Sequence, residues 1–532
     1  MKILTSDQMK EADRKTINQL GLPGIVLMEN AAQRVTEFIL NLPEKPERVV
    51  VLAGPGNNGG DGLAVARQLA KAGLNLSLWS TAKPGTYKAE AAVNEQYHLN
   101  TGFKISRLLD SGSLQLFLSD LDNADLLVDA LLGLGTVRKI EGLFDNLIHE
   151  INSRKLPVIA VDLPSGVNAD TGEIMGAAIK AKWTVTFAFP KPGLLLYPGA
   201  ALAGEVYVGE IYVPESLAEE SRIDLTTLDF VRENLPLKPV DAHKGTMGKV
   251  MLVAGSPGMT GAALLSALAA LKSGSGLVYI AAPESICPTL EAKTVEVITV
   301  ALPEAAPGII DPAAAKEIIA KAELCDVLAI GPGLNTGEET AELINKLVQL
   351  CPVPLVFDAG ALEAISRQIN VLRAAKHPPV ITPHPGEMAR LERTTVQHVQ
   401  DNRIEIASKN ARLWNCIILL KGANSIIAAP DGKITINPTG SPVLATAGSG
   451  DLLTGLVASL IAQGMIPENA VKAGAFIHGL AGDLISSLRG HSASDILECF
   501  QRTFQFINES GDKANLNPYL AKIRPVNNIY HK

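Results

Sequence analysis

Two glycine-rich loops are the segments of this 532-residue sequence best suited to bind a charged ligand. Residues 54–62 read GPGNNGGDG, and residues 447–451 read AGSGD. A glycine-rich loop at a helix N-terminus turns backbone N–H groups towards an anion, and the helix dipole favours the negative charge there. We therefore predict that each half of the chain handles a phosphate group.

The first loop differs from the common nucleotide-binding motifs. It lacks the Gly-Lys-Ser/Thr ending of the Walker motif, and its glycines do not form the standard dinucleotide fingerprint. The simplest alternative is a plain glycine-rich turn. Such a turn does not need the polar side chains of Asn57, Asn58 and Asp61, so a binding site is the better interpretation.

Two aspartates follow apolar runs in the first half of the chain. Asp129 lies in the segment VDALLGLG, and Asp162 lies in the segment VDLPSG. Either residue alone could simply cap the turn that follows it. Together with the loop at 54–62, they indicate one site built from several strand ends.

Asp451 ends the second glycine-rich loop, just before a helical stretch predicted from Leu452. In phosphoryl transfer an anion hole holds the phosphoryl group, while a neighbouring carboxylate takes the proton of the attacking hydroxyl. Asp451 could instead cap its own helix. The short GxGD pattern by itself leaves both interpretations open.

Short apolar runs alternate with helical segments, which predicts parallel sheets whose ligands bind after the carboxyl ends of strands. Helices are predicted from Thr5 or Ser6 towards Leu20 and through Glu29 and Asn30, and a third over residues 63–72. The predicted strands are residues 49–53, 74–78, 126–130 and 158–161 in the first half, and 249–254, 327–330, 355–357 and 417–420 in the second.

The length and a change in composition predict two domains. A chain of 532 residues exceeds what one core organises, because cores stop growing at about 250–300 residues. Residues 214–240 become charged and irregular, with Glu219-Glu220 followed by LPLKP. We predict domains at 1–215 and 241–525, joined by a connector at 216–240.

The composition and the cysteine pattern indicate a soluble protein of a reduced compartment. It is 47% hydrophobic, 4% aromatic and 19% charged, and the net charge of -8 argues against a general nucleic-acid surface. The five cysteines form no metal-binding spacing, and the first residues lack the apolar stretch of a signal peptide. We predict a cytoplasmic protein with no membrane partner and no nucleic-acid partner.

The first-half motifs resemble the NAD(P)H-hydrate epimerase domain over residues 1–215. The resemblance rests on GPGNNGGDG, the segment around Asp129, VDLPSG and LMENAA at 27–32. It implies a Rossmann-like three-layer α/β/α fold and a potassium ion held by Asn58, Asp129 and Ser165. It also implies hydrate contacts from Asn57, Asn58, Gly59, Gly60, Asp61, Gly133, Leu134, Gly135, Thr136, Val137, Arg138, Lys139 and Asp162. We infer that Asp162 acts on the ring as an acid/base or charge-stabilising carboxylate.

The second-half motifs resemble the ADP-dependent NAD(P)H-hydrate dehydratases, which have a ribokinase-like α/β fold, over residues 227–525. The segments HKGTMGKVMLVAGS, MTGAA, GPGL, TPHPGEM, KGANS and AGSGD carry the resemblance, and sugar kinases share only the GxGD part. It implies hydrate contacts from Ala262, Gly333, His384 and Asp451, with Asp451 catalytic. It implies adenine-nucleotide contacts from Lys421, Gly422, Ala423, Asn424, Ser425 and Gly450.

Together the two resemblances imply a bifunctional repair enzyme that acts on hydrated NADH and NADPH (NADHX and NADPHX). The first domain would interconvert the R and S forms, using K⁺, and the second would dehydrate the S form with ADP and Mg²⁺. A homo-oligomer is expected. Two alternatives remain: a ribokinase-like vitamin or sugar kinase with a regulatory domain, and a first half that only binds nucleotide.

Overall fold

The computed structural model describes residues 1–509 and 520–525, in two compact units. The first unit contains residues 1–221 with 520–525, and the second contains residues 222–509. The predicted second domain, 241–525, includes residues 510–519, which lie outside the described residues. Within the described ranges, no helix combines the length and hydrophobicity needed to span a bilayer.

The helices of the first unit begin where local signals place them. Thr5 forms a capping box with Gln8, as the predicted helix start requires, and positions the helix that carries Met9 and Ala12 into the core. The helices are α1 (Ser6–Asn18), α2 (Gly24–Leu40), α3 (Asn57–Lys71), α4 (Ala89–Asn100), α5 (Ser111–Leu121), α6 (Leu143–Asn152) and α7 (Gly199–Ala203).

Seven strands of the first unit are parallel and lie in the order β3-β2-β1-β4-β5-β6-β7. This is the doubly wound order of a Rossmann-like sheet, and its switch point lies between β1 and β4. The strands are β1 (Arg48–Ala53), β2 (Asn75–Ser80), β3 (Ile105–Arg107), β4 (Leu126–Ala130), β5 (Val158–Val161), β6 (Trp183–Phe187) and β7 (Glu205–Gly209).

Two hydrophobic clusters cover the opposite faces of this sheet. Val49 and Val51 of β1 belong to the cluster that includes residues of α1 to α4. Val50 and Leu52 belong to the other cluster, with residues of α5 and α6. Successive side chains of a strand point to opposite faces, so β1 is buried on both sides. The predicted three-layer α/β/α domain is confirmed.

The second unit is also built from α/β units. Its helices are α8 (Leu228–Asn234), α9 (Thr260–Lys272), α10 (Cys287–Glu291), α11 (Ala315–Ala322), α12 (Glu338–Leu350), α13 (Gly360–Ala364), α14 (Pro385–Glu392), α15 (Val396–Asp401), α16 (Arg403–Trp414), α17 (Ser449–Ala462), α18 (Pro467–Asp483) and α19 (Ala493–Glu509). Its strands are β8 (Ile223–Leu225), β9 (Lys249–Val253), β10 (Leu277–Pro283), β11 (Ile298–Leu302), β12 (Glu304–Ala306), β13 (Ile309–Ile310), β14 (Val327–Ile330), β15 (Leu355–Phe357), β16 (Val380–Ile381), β17 (Ile417–Leu420), β18 (Ile426–Ala428) and β19 (Ile434–Ile436).

The large sheet of the second unit has the order β11-β10-β9-β14-β15-β16-β17-β18-β19-β8. The strands from β11 to β17 are parallel, whereas β18 is antiparallel to both of its neighbours. β12 and β13 form a separate hairpin. The predicted ribokinase-like α/β class agrees with this sheet, in which β9, β14, β15, β16 and β17 end on one edge.

The segment predicted as a connector, residues 216–240, differs from that prediction. It contains β8 and α8, and β8 pairs in parallel with β19 at the edge of the second sheet. The strand β20 (Leu520–Lys522) pairs antiparallel with β7, so the end of the chain returns to the first sheet. An edge strand is exposed to water along one side and therefore often carries charged residues. For this reason residues 216–240 have a composition that resembles a linker.

Candidate functional site

A cavity of about 990 Å³ opens in the first unit, at the switch point of its sheet. This volume is typical of a ligand pocket, about 300–1,000 Å³. The loops that follow β1, β4 and β5 contribute to its walls. Most residues predicted to contact the hydrate line it: Asn57, Asn58, Asp61, Gly133, Leu134, Gly135, Thr136, Val137, Arg138, Lys139 and Asp162.

The first glycine-rich loop runs directly into α3, which begins at Asn57, earlier than the predicted residue 63. No side chain caps this helix, so the N–H groups of its first turn are available to an anion. Gly59 and Gly60 lie behind the cavity wall. A Cβ at Gly59 would come within 1.8 Å of the Gly54 carbonyl oxygen, so close packing requires glycine there. Hydrate contact by Gly59 and Gly60 stays a prediction.

The three predicted potassium ligands lie together. Asp129 is fully buried, and its two carboxylate oxygens accept the hydroxyl of Ser165 at 2.6 Å and its backbone N–H at 2.8 Å. Asn58 Nδ2 donates to the Leu132 carbonyl at 2.9 Å, and the same carbonyl lies 3.2 Å from Ser165 Oγ. The ends of β4 and β5 and the start of α3 therefore converge on one polar cluster.

The donor set of this cluster fits a potassium ion. Asn58 Oδ1 is buried and has no hydrogen-bond partner among the described residues, which is costly for a polar atom unless a ligand satisfies it. Burial raises the pKa of Asp129 to about 6, although the bonds from Ser165 lower it, and a cation would favour the ionised form. Amide, hydroxyl and carboxylate oxygens are hard ligands.

Asp162 follows β5 in a strained backbone conformation, with φ at +66°. Its Oδ1 accepts hydrogen bonds from Lys191 Nζ at 2.6 Å and from Thr186 Oγ1 at 2.8 Å. The Lys191 side chain is only 1% exposed. These bonds hold the Asp162 carboxylate in one orientation at the cavity wall, beside a buried ammonium group.

Two further cavity residues, Lys191 and Asp13, carry no motif that singles them out. Lys191 follows β6, a strand that the sequence did not predict, so its position near a strand end was not recognised. Asp13 projects from α1, far from the glycine-rich loop in sequence. Burial raises the pKa of Asp61 well above its usual range, and the charges of Asp162 and Asp13 raise it further.

Asp451 occupies the first turn of α17, which begins at Ser449 rather than at the predicted Leu452. Gly448 precedes the helix with φ at +89°, a conformation that glycine adopts without strain. No side chain caps α17, so its first N–H groups can bind a phosphate. Burial raises the pKa of Asp451 to about 6; the charge of Asp358 raises it as well, and Lys421 opposes the shift.

The ammonium group of Lys421 lies against this helix start. Its Nζ donates to Asp358 Oδ1 at 2.8 Å, and Thr454 Oγ1 donates to Asp358 Oδ2 at 2.7 Å. A Cβ at Gly450 would lie 3.4 Å from Lys421 Nζ. A phosphoryl group at the N-terminus of α17 would therefore meet a cation. Asp358 was missed, although its place directly after a predicted strand was a usable signal.

Three predicted hydrate contacts of the second unit come after strands of its sheet: Ala262 after β9, Gly333 after β14 and His384 after β16. Ala262 and Gly333 are adjacent, since a Cβ at Gly333 would lie 3.2 Å from Ala262 Cβ. His384 follows β16 and caps α14, with Nδ1 accepting the N–H of Gly386 at 3.0 Å. His384 Nε2 lies 3.5 Å from Glu387 Oε1, and half of the His384 side chain is exposed.

The turn formed by Lys421, Gly422, Ala423, Asn424 and Ser425 follows β17, and Arg403 holds it from α16. Arg403 Nη1 donates to the Ala423 carbonyl at 3.0 Å, and Nη2 donates to the Leu420 carbonyl at 3.2 Å. Burial lowers the pKa of Arg403 to about 10. No sequence motif pointed to Arg403, because its role depends on the packing of α16.

Comparisons with known proteins agree with this division into two sites. Residues 24–193 match the family described as YjeF-related protein N-terminus, and residues 250–502 match the NAD(P)H-hydrate dehydratase family. A solved ADP/ATP-dependent NAD(P)H-hydrate dehydratase from Bacillus subtilis, co-crystallised with ATP and Mg²⁺, is 30% identical. That match covers 53% of this chain and 98% of the other, with a TM-score of 0.45.

Full-length relatives cover both units. The bifunctional NAD(P)H-hydrate repair enzyme of Moorella thermoacetica is 43% identical over 93% of this chain and 94% of the relative. The enzyme of the same name from Thermofilum pendens is 37% identical over 99% of this chain and 100% of the relative. The chain therefore belongs to the family of bifunctional NAD(P)H-hydrate repair enzymes.

Proposed function

We propose that this protein repairs hydrated NADH and NADPH in two steps. The first unit interconverts the R and S forms of the hydrate, and the second dehydrates the S form while ADP becomes AMP and phosphate. The observation that carries the proposal is the second site, where Asp451 lies at an uncapped helix start beside Lys421. A kinase-like site suits a dehydration, because phosphorylation turns hydroxide into a good leaving group.

In the second unit, Asp451 takes the proton of the hydrate hydroxyl as its oxygen attacks the terminal phosphorus of ADP, and AMP leaves. The N–H groups at the start of α17 and the Lys421 ammonium stabilise the transferring group. Phosphate then leaves the ring with a proton from the neighbouring carbon, which restores the dihydronicotinamide. Asp358 and Thr454 hold Lys421 in place.

In the first unit, loss of the C6 hydroxyl leaves a cationic ring, and water returns to the other face. The N–H groups at the start of α3 bind phosphate of the dinucleotide, as its uncapped N-terminus favours. Asp162 contributes a fixed negative charge, while Lys191 holds one of its oxygens. Asn58, Asp129 and Ser165 would hold K⁺, which supplies a charge that orders the loops around the substrate.

The proposed magnesium ion accompanies ADP. Mg²⁺ binds nucleotide phosphates with only one or two protein carboxylates. The carboxylates of Asp358 and Glu387 lie close to Lys421, and the charge of Asp451 acts on the same lysine, so one or two of these groups would hold the ion together with the ADP phosphates. Within the described ranges, no group of three or more His, Cys, Asp or Glu side chains is arranged to hold a metal by itself.

We also propose that the protein works in the cytoplasm as a homo-oligomer. All five cysteines are free, and four of them are buried, as suits a reducing compartment. Light scattering of the purified chain measures its oligomeric state. The substrates are NADHX and NADPHX, with ADP as the phosphoryl donor.

The dehydration should lose activity as the pH falls through about 6, the pKa of Asp451. A base must be unprotonated, and below that pH Asp451 carries a proton. The measurement is kcat/KM for the S form from about pH 5 to about pH 8, with restored nicotinamide absorbance as the signal. A profile without an acidic limb would contradict the role of Asp451 as the base.

Replacing Asn58 by alanine should raise the K⁺ concentration needed for half-maximal epimerisation by about 10- to 100-fold. The substitution removes the buried Oδ1 that has no protein partner in the described part of the chain. Epimerisation of the purified R form is followed by chromatography as K⁺ replaces Na⁺. Asn123→Ala, at an exposed asparagine of the same unit, is the control. An unchanged K⁺ response would exclude Asn58 as a ligand.

The overall function is tested with a mixture of both epimers and ADP. Full return of nicotinamide absorbance requires both units to work. If absorbance returns quickly from the S form alone, and the rest follows at the rate of uncatalysed epimerisation, the first unit is inactive. No recovery would indicate a kinase for a different alcohol.

A further inference from the structure

Asp13 lies on the wall of the first unit's cavity, together with Asp61, Asp162 and Lys191. The four residues come from α1, α3, the end of β5 and the segment after β6, so only the fold brings them together. Mutual electrostatic effects connect them: the charges of Lys191 and Asp162 act on Asp13, and the charges of Asp162 and Asp13 act on Asp61.

The helix that carries Asp13 is firmly held. Ser6, at the start of α1, donates its N–H and its hydroxyl to the Asp170 carboxylate at 2.6 and 2.7 Å. Met9 and Ala12 are buried in the core below. The direction of Asp13 into the cavity is therefore set by the packing of α1.

Asp13 has a buried carboxyl oxygen without a protein partner in the described part of the chain. Its Oδ1 is buried and makes no hydrogen bond within residues 1–509 and 520–525, whereas Lys191 Nζ donates to Asp162 Oδ1. Burial raises the pKa of Asp13 to about 6, Lys191 opposes this shift, and Asp162 adds to it. Both protonation states are accessible near neutral pH, as an acid/base group requires.

The reaction of the first unit needs acid/base groups for two faces of the ring. On one face, a protonated carboxyl gives its proton to the C6 hydroxyl, the C–O bond breaks and water leaves a cationic ring. On the other face, a carboxylate takes a proton from the water that forms the new C–O bond. One proton moves from the first carboxyl to the second, and the reverse reaction or solvent exchange resets the pair.

We propose that Asp13 is an acid/base residue of the epimerisation and that Asp61, which lines the same cavity, is its partner in proton transfer, while Lys191 holds Asp162 by a hydrogen bond. This assignment rests on the proposed epimerase function of the first unit. It deepens that function by naming the two side chains that transfer protons.

The test uses the full-length chain with Asp13→Asn. The epimerisation rate, corrected for the enzyme-free rate, should fall by about 100-fold or more, because general acid–base catalysis contributes about 10²–10⁴. Hydrate binding to the first unit should change little, and dehydration of purified S form with ADP should stay at the wild-type rate. Asp7→Asn is the matched control, since Asp7 lies on the same helix with a side chain 92% exposed.

Isotope exchange separates a catalytic role from a structural one. In water labelled with the heavy oxygen isotope, the wild type should incorporate label at C6 once per epimerisation, and Asp13→Asn should lose exchange and epimerisation together. Asp13→Glu, which keeps a carboxyl group, should recover part of both, and this recovery would show that the cavity still folds.

Three results would overturn the proposal. The first is wild-type epimerisation by Asp13→Asn, and the second is epimerisation by the wild type without incorporation of label. The third is an Asp13→Asn defect in hydrate affinity alone, with the saturated rate unchanged. A wild-type chain that dehydrates the S form but never epimerises would instead refute the proposed function of the first unit.

Discussion

Asp451→Asn should abolish dehydration, with a fall of about 10²–10⁴ in kcat for the S form, because the variant has no group to accept the hydroxyl proton. Its amide side chain has nearly the same shape, and the start of α17 and the Lys421–Asp358 pair should remain in place. The measurement is the return of nicotinamide absorbance from purified S form with saturating ADP and Mg²⁺.

The same variant should be more stable than the wild type near neutral pH. Burial raises the pKa of Asp451 from 3.8 in the unfolded chain to about 6 in the folded chain. Between these two pH values the folded chain binds more protons than the unfolded chain, so the free energy of unfolding decreases as the pH rises. Above that window the ionised carboxylate opposes folding by at most about 3 kcal/mol. Asp451→Asn removes this penalty, and its melting temperature should exceed that of the wild type.

Two controls make the Asp451 result specific. Asp495 is an exposed aspartate of the same unit, and its carboxylate accepts the N–H of Ser492 near the start of α19. Asp495→Asn should leave dehydration intact. Epimerisation of the R form by Asp451→Asn should equal that of the wild type. Full dehydration activity in Asp451→Asn would mean that another group takes the proton.

Lys191→Met should destabilise the first unit by about 3–5 kcal/mol, because it leaves the buried Asp162 carboxylate without its cation. The bond from Thr186 remains, but a neutral hydroxyl does not replace an ammonium group. Epimerisation should fall with the loss of the ordered charge pair. Urea unfolding measures the stability, and chromatography of the epimers measures the activity.

Tryptophan fluorescence can report the first unit separately. Of the three tryptophans, Trp79 and Trp183 lie in the first unit and Trp414 lies in the second. In a Trp414→Phe background, all tryptophan emission therefore comes from the first unit. Lys180→Met, at an exposed lysine of the same unit, is the control for loss of a positive charge.

A double variant distinguishes the ion pair from the packing of the lysine side chain. Lys191→Met combined with Asp162→Asn has no unpaired buried charge, so it should recover much of the lost stability. Its epimerisation should remain below that of the wild type, because the Asp162 carboxylate is also lost from the site. Equal destabilisation of the single and double variants would show that Lys191 acts through packing alone.

Both sites keep acidic groups in environments that oppose their ionisation. Burial is the main cause of the raised pKa values of Asp13 and Asp61 in the first unit and of Asp451 in the second. Groups perturbed in this way cluster at functional sites, where stability is reduced in favour of reactivity. The stability gain expected for Asp451→Asn measures this trade-off in the second unit.

Local patterns of residue types were enough to predict the fold class and the glycine-rich loops of the two sites. Apolar runs of parallel strands are buried on both faces, so their composition is visible locally, and strands at 126–130, 158–161 and 327–330 were predicted at their observed bounds. Glycine-rich loops also carry a local signal, since Gly59 must admit the Gly54 carbonyl and Gly448 must adopt a positive φ.

The side chains that reach these loops from distant parts of the chain are placed there by long-range packing. Asp13 reaches the cavity because α1 packs on the sheet, Lys191 because β6 lies beside β5, and Arg403 because α16 packs beneath β17. It also showed that β8 belongs to the second sheet. Such contacts depend on distances between residues far apart in the chain, and no local pattern of residue types encodes those distances.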